Sequence, residues 1–235
     1  MPPENLVSIL NQLRHAADTG QHLGAITAPR IAAHLGMDTL TVDTVAADGS
    51  LELMWCCPAA GLGPDLGNLQ YALGDGPTLE AVRLGLTVIE PDLAAADPAR
   101  WPLFLSAAAD TAVRAVIAAP LRLGIATVGA LTSYRTTPGP LTDTQLRDFH
   151  RVRRGLLPLL LQSAQGLSAT GPGDGLHLYR AEVHQAAGFL SSRLAIPLDQ
   201  ALARLRAYAI SHDIPLIDLA HETLADQRRL DDPRP

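Results

Sequence analysis

At 235 residues, 47% of them hydrophobic and 18% charged, the chain has the composition of a globular protein with room for one substantial core and a smaller appendage. All 18 basic residues are arginine, which excludes a lysine-dependent phosphate loop and Schiff-base chemistry. A formal net charge of −6 argues against a general polyanion binder, because non-specific nucleic-acid affinity grows with the number of phosphates neutralised.

In chain order, "MPPENLVSILNQLRHAAD" spaces Leu6, Ile9, Leu10, Leu13 and Ala17 as a helix. It lacks the cationic and then unbroken apolar regions of a signal peptide, so a soluble, cytoplasmic protein is expected. "HLGAITAPRIAAHL" predicts a second amphipathic helix, interrupted near its middle by Pro29. "LTVDTVAADGSLELMWCC" predicts two antiparallel strands closed by a tight turn at Asp48-Gly49. "LGDGPTLEAVRLGLTVIEPDL" predicts a turn, a short helix after Pro77 and a strand at Thr87 to Ile89. "WPLFLSAAADTAV" reads as helix, and "AVIAAPLRL" and "ATVGALTSY" as strands. "LTDTQLRDFHRVRRGLLPLLLQSA" predicts a long helix capped by Thr142 or Asp143.

The apolar pattern stops at "GLSATGPGDG", so a first domain over 1–165 and a linker over 166–175 are expected. Residues 176–230 then repeat the helical period three times. The stripes are Tyr179, Val183, Ala187, Leu190 and Leu194, then Leu198, Ala201, Leu202, Leu205 and Tyr208, then Leu216, Leu219, Ala220 and Leu224. Pro197 and Pro215 stand where the second and third helices should begin. The expected class is α+β: an antiparallel sheet flanked by helices, followed by a small all-α three-helix bundle.

Little in the chain points to catalysis. No histidine pair shows metal-ligand spacing with further partners, no nucleophile elbow or catalytic acid pair appears, and Cys56 and Cys57 are adjacent rather than in a CxxC pair. Cys57-Pro58 matches a haem-type dipeptide, but a buried strand cysteine is the commoner use. A non-enzyme without metal or cofactor is expected.

"AEVHQAAGFLSSRLAIPLDQALARLRAYAISHDIPLIDLA" resembles the ANTAR module, an RNA-binding domain of bacterial transcription antitermination regulators, through its Gln-Ala-x-Gly, Ala-x-x-x-Leu-Arg and "DLA" segments. Residues 1 to about 165 resemble a GAF sensor domain of the kind fused to ANTAR modules in actinobacteria, through "LQYALGDGPTLEAVRLGLTVIEPDL", "RWPLF" and "APLRLGIATVGALTSYRTTPGPLTDTQ".

The resemblance implies a one-component regulator whose sensor controls the binding of RNA stem-loops. It implies RNA contacts from Arg180, His184, Gln185, Gly188, Arg193, Arg204 and Arg206. It also implies a cavity for an unidentified small molecule, surrounded by Trp55, Gln70, Gly74, Asp75, Gly76, Pro77 and Trp101. The cyclic-nucleotide signature of GAF domains contains a lysine, so that ligand class is disfavoured. The apolar stripe of the first helix and "GLLPLLLQSA" lead to the expectation of a homodimer, with no membrane partner. Residues 180–235 carry seven arginines against eight carboxylates, a net of −1. That balance keeps an alternative open: a ligand-sensing or protein-interaction dimer whose helical module no longer binds RNA usefully.

Overall fold

A computed structural model describes residues 6–23, 26, 29–46, 49–58, 61–169, 180–212 and 214–225. The chain divides into two units, Met1–His177 and Leu178–Pro235.

The first unit is built on one five-stranded sheet with strands β1 (Thr39–Val45), β2 (Leu51–Cys57), β3 (Val88–Glu90), β4 (Ala115–Leu123) and β5 (Ala126–Arg135). Their order is β2-β1-β5-β4-β3, and every neighbouring pair is antiparallel. The β1–β2 connection is looser than a two-residue turn: the Ala46 N–H donates to the Ser50 carbonyl and the Gly49 N–H to that of Ala46. Asp48 of the expected turn lies outside the described residues. β3 starts one residue later than the sequence predicts.

Alternation along the strands sends side chains to two different cores. Leu40, Val42, Trp55, Ile117, Ala119 and Leu131 face one side, in a cluster with α1 (Leu6–Asp18), α2 (Pro29–Leu35) and α6 (Asp143–Ala169). Val116, Ala118 and Tyr134 face the other, with α3 (Leu62–Leu73), α4 (Pro77–Leu84) and α5 (Pro102–Ala108).

Pro29 does not interrupt a helix; it begins α2, where a missing N–H costs nothing. α5 stops at Ala108, short of the expected stretch, because the Thr111 hydroxyl donates to the Ala108 carbonyl and the chain must then extend into β4. The α1 stripe of Leu6, Ile9 and Leu13 is buried in the same cluster as Phe149, Val152 and Leu156 of α6. It is therefore buried inside the chain and is not itself an exposed stripe.

Of the two residues expected to cap α6, Thr142 does so. Its Oγ1 accepts from the Gln145 N–H while Gln145 Oε1 accepts from the Thr142 N–H, a reciprocal capping box. α6 runs through Ala169, four residues into the expected linker, and residues 170–179 lie outside the described residues. Pro158 sits inside it and removes one rung of its hydrogen-bond ladder. The helix persists because Leu156, Leu159 and Leu160 are buried around that point.

In the second unit α7 (Ala181–Leu194), α8 (Leu198–Ser211) and α9 (Leu216–Leu224) pack pairwise against one another. Pro197 and Pro215 immediately precede α8 and α9. Val183, Ala187, Leu190, Ala201, Leu202, Leu205, Leu216, Leu219 and Ala220 are buried as the stripes predict. Leu198 and Leu224 are exposed at helix ends, Leu194 and Tyr208 are half-buried, and Tyr179 lies outside the described residues.

Candidate functional site

The residues expected around a sensor cavity form a hydrogen-bonded framework. Gln70 on α3 is buried, and its Nε2 donates to Thr78 Oγ1 at 3.0 Å and to the Tyr134 hydroxyl at 2.6 Å. Its Oε1 accepts the Thr78 backbone N–H at 2.8 Å, and Thr78 Oγ1 lies 2.9 Å from Thr132 Oγ1 on β5. α4 opens at Gly76, which has no side chain to cap it, so Gln70 supplies the missing acceptor from another helix. Gly76 is required twice: its φ is 129°, and a Cβ there would stand 2.6 Å from the Gln70 side chain.

Asp75 has a matching job. Its Oδ2 accepts the Leu103 and Phe104 N–H groups at 3.3 and 3.4 Å, capping α5, whose own first residue offers no side-chain cap. Gly74 closes α3 in the left-handed conformation, and Pro77 starts α4.

Trp101 is buried beside Phe104, edge to face at 6.3 Å. Its indole N–H donates to Glu80 Oε2 at 2.6 Å, and the Arg100 guanidinium lies 4.3 Å from the ring. Arg100 also donates to both Glu80 oxygens and reaches Glu90. The Arg100 hydrogen bonds hold the Glu80 carboxyl below the ordinary carboxylate range, against the upward push of burial, with the Trp101 bond adding to the lowering.

Trp55 packs on the opposite face of the sheet from Trp101. The seven residues therefore do not surround one cavity.

A surface cleft of about 640 Å³ opens instead beside α5, lined by Leu93, Pro98, Pro102, Leu105, Val113 and Arg114 among others, and by none of those seven. Arg114 is held there by a two-pronged bond to Asp92, with Nε donating to Oδ1 at 3.2 Å and Nη2 to Oδ2 at 3.1 Å. Pro102 lies in the "RWPLF" segment that carries the GAF resemblance and Arg114 falls between the stretches predicted as helix and strand, but neither is among the residues expected to line a cavity.

Cys56 and Cys57 are buried and in no disulfide. Burial and the neighbouring Cys56 push the Cys57 thiol up, away from the thiolate form that ligates metal. Among the described residues no three His, Cys, Asp or Glu side chains could jointly hold a metal ion, and no helix is long and apolar enough to cross a membrane.

In the second unit the expected contact residues separate by exposure. Gln185, Gly188 and Arg204 are exposed, and His184, Arg193 and Arg206 are half-buried. Arg180 is not on a polar face: at 3% exposure it lies buried at the start of α7. Gly188 stands in mid-helix, and a Cβ built there would meet nothing within 4 Å. Phe189, which falls off the predicted stripe, is 38% exposed on the outward side, with the Arg193 guanidinium 6.0 Å from its ring. At the C-terminal end of α8 the rings of Tyr208 and the capping His212 stack in parallel at 3.9 Å.

No family model matches the chain, and no curated protein does. Among solved structures it is similar to the GAF domain of an Acinetobacter phosphoenolpyruvate-protein phosphotransferase, at 12% identity and TM-score 0.52 over 71% of this chain and 99% of that one. The phycoerythrobilin-bound GAF domain of a cyanobacterial phytochrome matches at 15% identity and TM-score 0.51, over 69% of this chain and 98% of its own. A GAF domain from a Coxiella burnetii phosphoenolpyruvate-protein phosphotransferase matches at 14% identity and TM-score 0.50, over 72% and 100%. These likenesses, with the five-stranded antiparallel sheet and its two helical layers, show a GAF-like fold.

Proposed function

We propose that the protein is a one-component transcription regulator in which the GAF-like domain senses a signal and governs an ANTAR-like helical module that binds RNA stem-loops and promotes antitermination. A GAF-like fold of the kind used for sensing, followed by a separate three-helix unit, supports that order of parts. In this reading the sensor takes an uncharged small molecule, in the mainly apolar cleft beside α5. The protein acts in the cytoplasm, as a homodimer whose two modules double the cations presented to RNA, and without catalysis.

The observation that carries the RNA reading is Gly188. A glycine inside a helix costs about 1 kcal/mol relative to alanine, and here no neighbouring atom demands it. Close approach of an external backbone to α7, between exposed Gln185 and Ser192, gives it a purpose. Gly188→Ala should therefore act with opposite signs: about 0.5–1 kcal/mol more stability in urea unfolding, yet weaker stem-loop binding in a fluorescence titration. A variant that is more stable and binds as well as the parent would contradict the reading.

The alternative, a protein-interaction dimer without useful RNA affinity, is favoured by the burial of Arg180 and by the net charge of −1 over residues 180–235. It is selected if no stem-loop binds at low salt, where phosphate contacts are strongest.

A further inference from the structure

We infer that Phe189 is a stacking platform for one unpaired nucleobase of the bound RNA, with Gln185 and Arg193 placed to contact that nucleotide's polar edge and backbone. The inference rests on the RNA-binding reading and names the chemistry by which the same face selects its partner.

Three observations converge on it. The second unit is poor in apolar bulk, since alanines at 186, 187, 201, 209 and 220 fill much of its interior, and yet a phenylalanine is left on the outward side of α7. Burying such a ring favours folding, so its 38% exposure forgoes part of that gain.

Arg193, one turn further on, sits 6.0 Å from the ring. A guanidinium there draws on the ring's negative face and offers donors to a phosphate or a guanine edge.

The helix positions nearest the ring in sequence add polar groups and leave one gap. Gln185, one turn before, is exposed and carries both a donor and an acceptor, while Gly188 puts no side chain beside the ring. Among the described residues Phe189 is the only large apolar side chain exposed on α7. A single ring flanked one turn away on either side by an amide and a guanidinium matches one base, which needs a flat apolar face, edge hydrogen bonds and a cation for its phosphate. A protein partner would need a broader apolar patch around the ring.

The test uses the full chain and hairpin RNAs with a fixed stem and a short randomised loop, enriched on the wild-type protein. The enriched hairpin is then labelled with 2-aminopurine at each loop position, and stacking is read as fluorescence quenching on binding. One loop position should be quenched. Phe189→Leu, which keeps apolar contact but removes the π face, should weaken binding about tenfold, the effect of about 1.4 kcal/mol of lost stacking, and abolish the quench. It should leave the salt dependence unchanged, because no phosphate contact is lost. Phe189→Trp should retain both affinity and quench.

If the wild type enriches a hairpin but Phe189→Leu binds it equally with the same quench, this inference is overturned while the RNA reading stands. If the wild type enriches no hairpin at all, both fall. A Phe189→Leu protein that changes mass in light scattering without changing RNA affinity would assign the ring to a protein contact and overturn the inference. Should Phe189→Leu fail circular dichroism as unfolded, the wild type decides: a bound hairpin with no quenched loop position refutes the stacking.

Discussion

Gln70 uses its whole amide within the fold: both functions are engaged, and one of them caps a helix that has no cap of its own. Replacing it with leucine keeps the volume but strands the buried Thr78 N–H in an apolar setting. A loss of about 2–3 kcal/mol is expected, read as a lower urea midpoint with unchanged slope. Glu80 makes a pH-dependent contribution. Its folded-state carboxyl titrates below the unfolded value because Arg100 bonds to the charged form. The stability it supplies is therefore present above the ordinary carboxylate range and is lost as pH falls through the depressed value. Glu80→Gln should lie below the wild type in stability at neutral pH and converge with it in acid, when urea midpoints are compared across pH.

At the scale of elements, α7 ends on Ala195 in the left-handed conformation, φ 52°, with its N–H given to the Ser191 carbonyl. A side chain there is strained, and glycine is the usual occupant of such a C-cap. Ala195→Gly should stabilise the second unit by about 0.5–1 kcal/mol, net of the added freedom of the unfolded chain, and calorimetry of the full chain should show it. The strands are legible in the sequence because alternation is local: "AVIAAPLRL" and "ATVGALTSY" become β4 and β5 almost residue for residue. The Thr142–Gln145 box is local too. The caps supplied by Gln70 and Asp75 are not, since Asp75 meets α5 twenty-eight residues on and nothing near Leu103 announces it. For the same reason the "LGDGPT" stretch stands out in sequence as a motif while its job as a brace between helices stays hidden. Exposure of Phe189 has a signal, its position off the stripe Val183, Ala187, Leu190 and Leu194; burial of Arg180 has none.

For the molecule as a whole, the two units differ in what holds them. The first has two clusters on a sheet, with Trp101, Tyr134, Phe104 and Phe149 almost fully buried. The second relies on three short helices whose interior is largely leucine and alanine, close to the size at which one core supplies only a few kcal/mol. Calorimetry of the full chain should resolve two transitions, the smaller one at lower temperature. Leu205→Ala, which empties a fully buried site in α8, should lower only that one.

Pro158 has a mechanical consequence. α6 spans 27 residues, roughly 40 Å at the α-helical rise, and it makes side-chain hydrogen bonds to the rest of the domain on both sides of the proline. Before the proline, Gln145 Nε2 donates to the Leu35 carbonyl at the end of α2. After it, Ser163 Oγ accepts the Leu23 N–H, and Gln162 Nε2 donates to the Ala17 carbonyl beyond the middle of α1. An unbroken helix resists bending along its length, whereas one with a missing rung concentrates its compliance at a single point. Where α6 yields to load, the bend is expected at Pro158, between the hydrogen bond of Gln145 to the end of α2 and those of Gln162 and Ser163 near the end of α1.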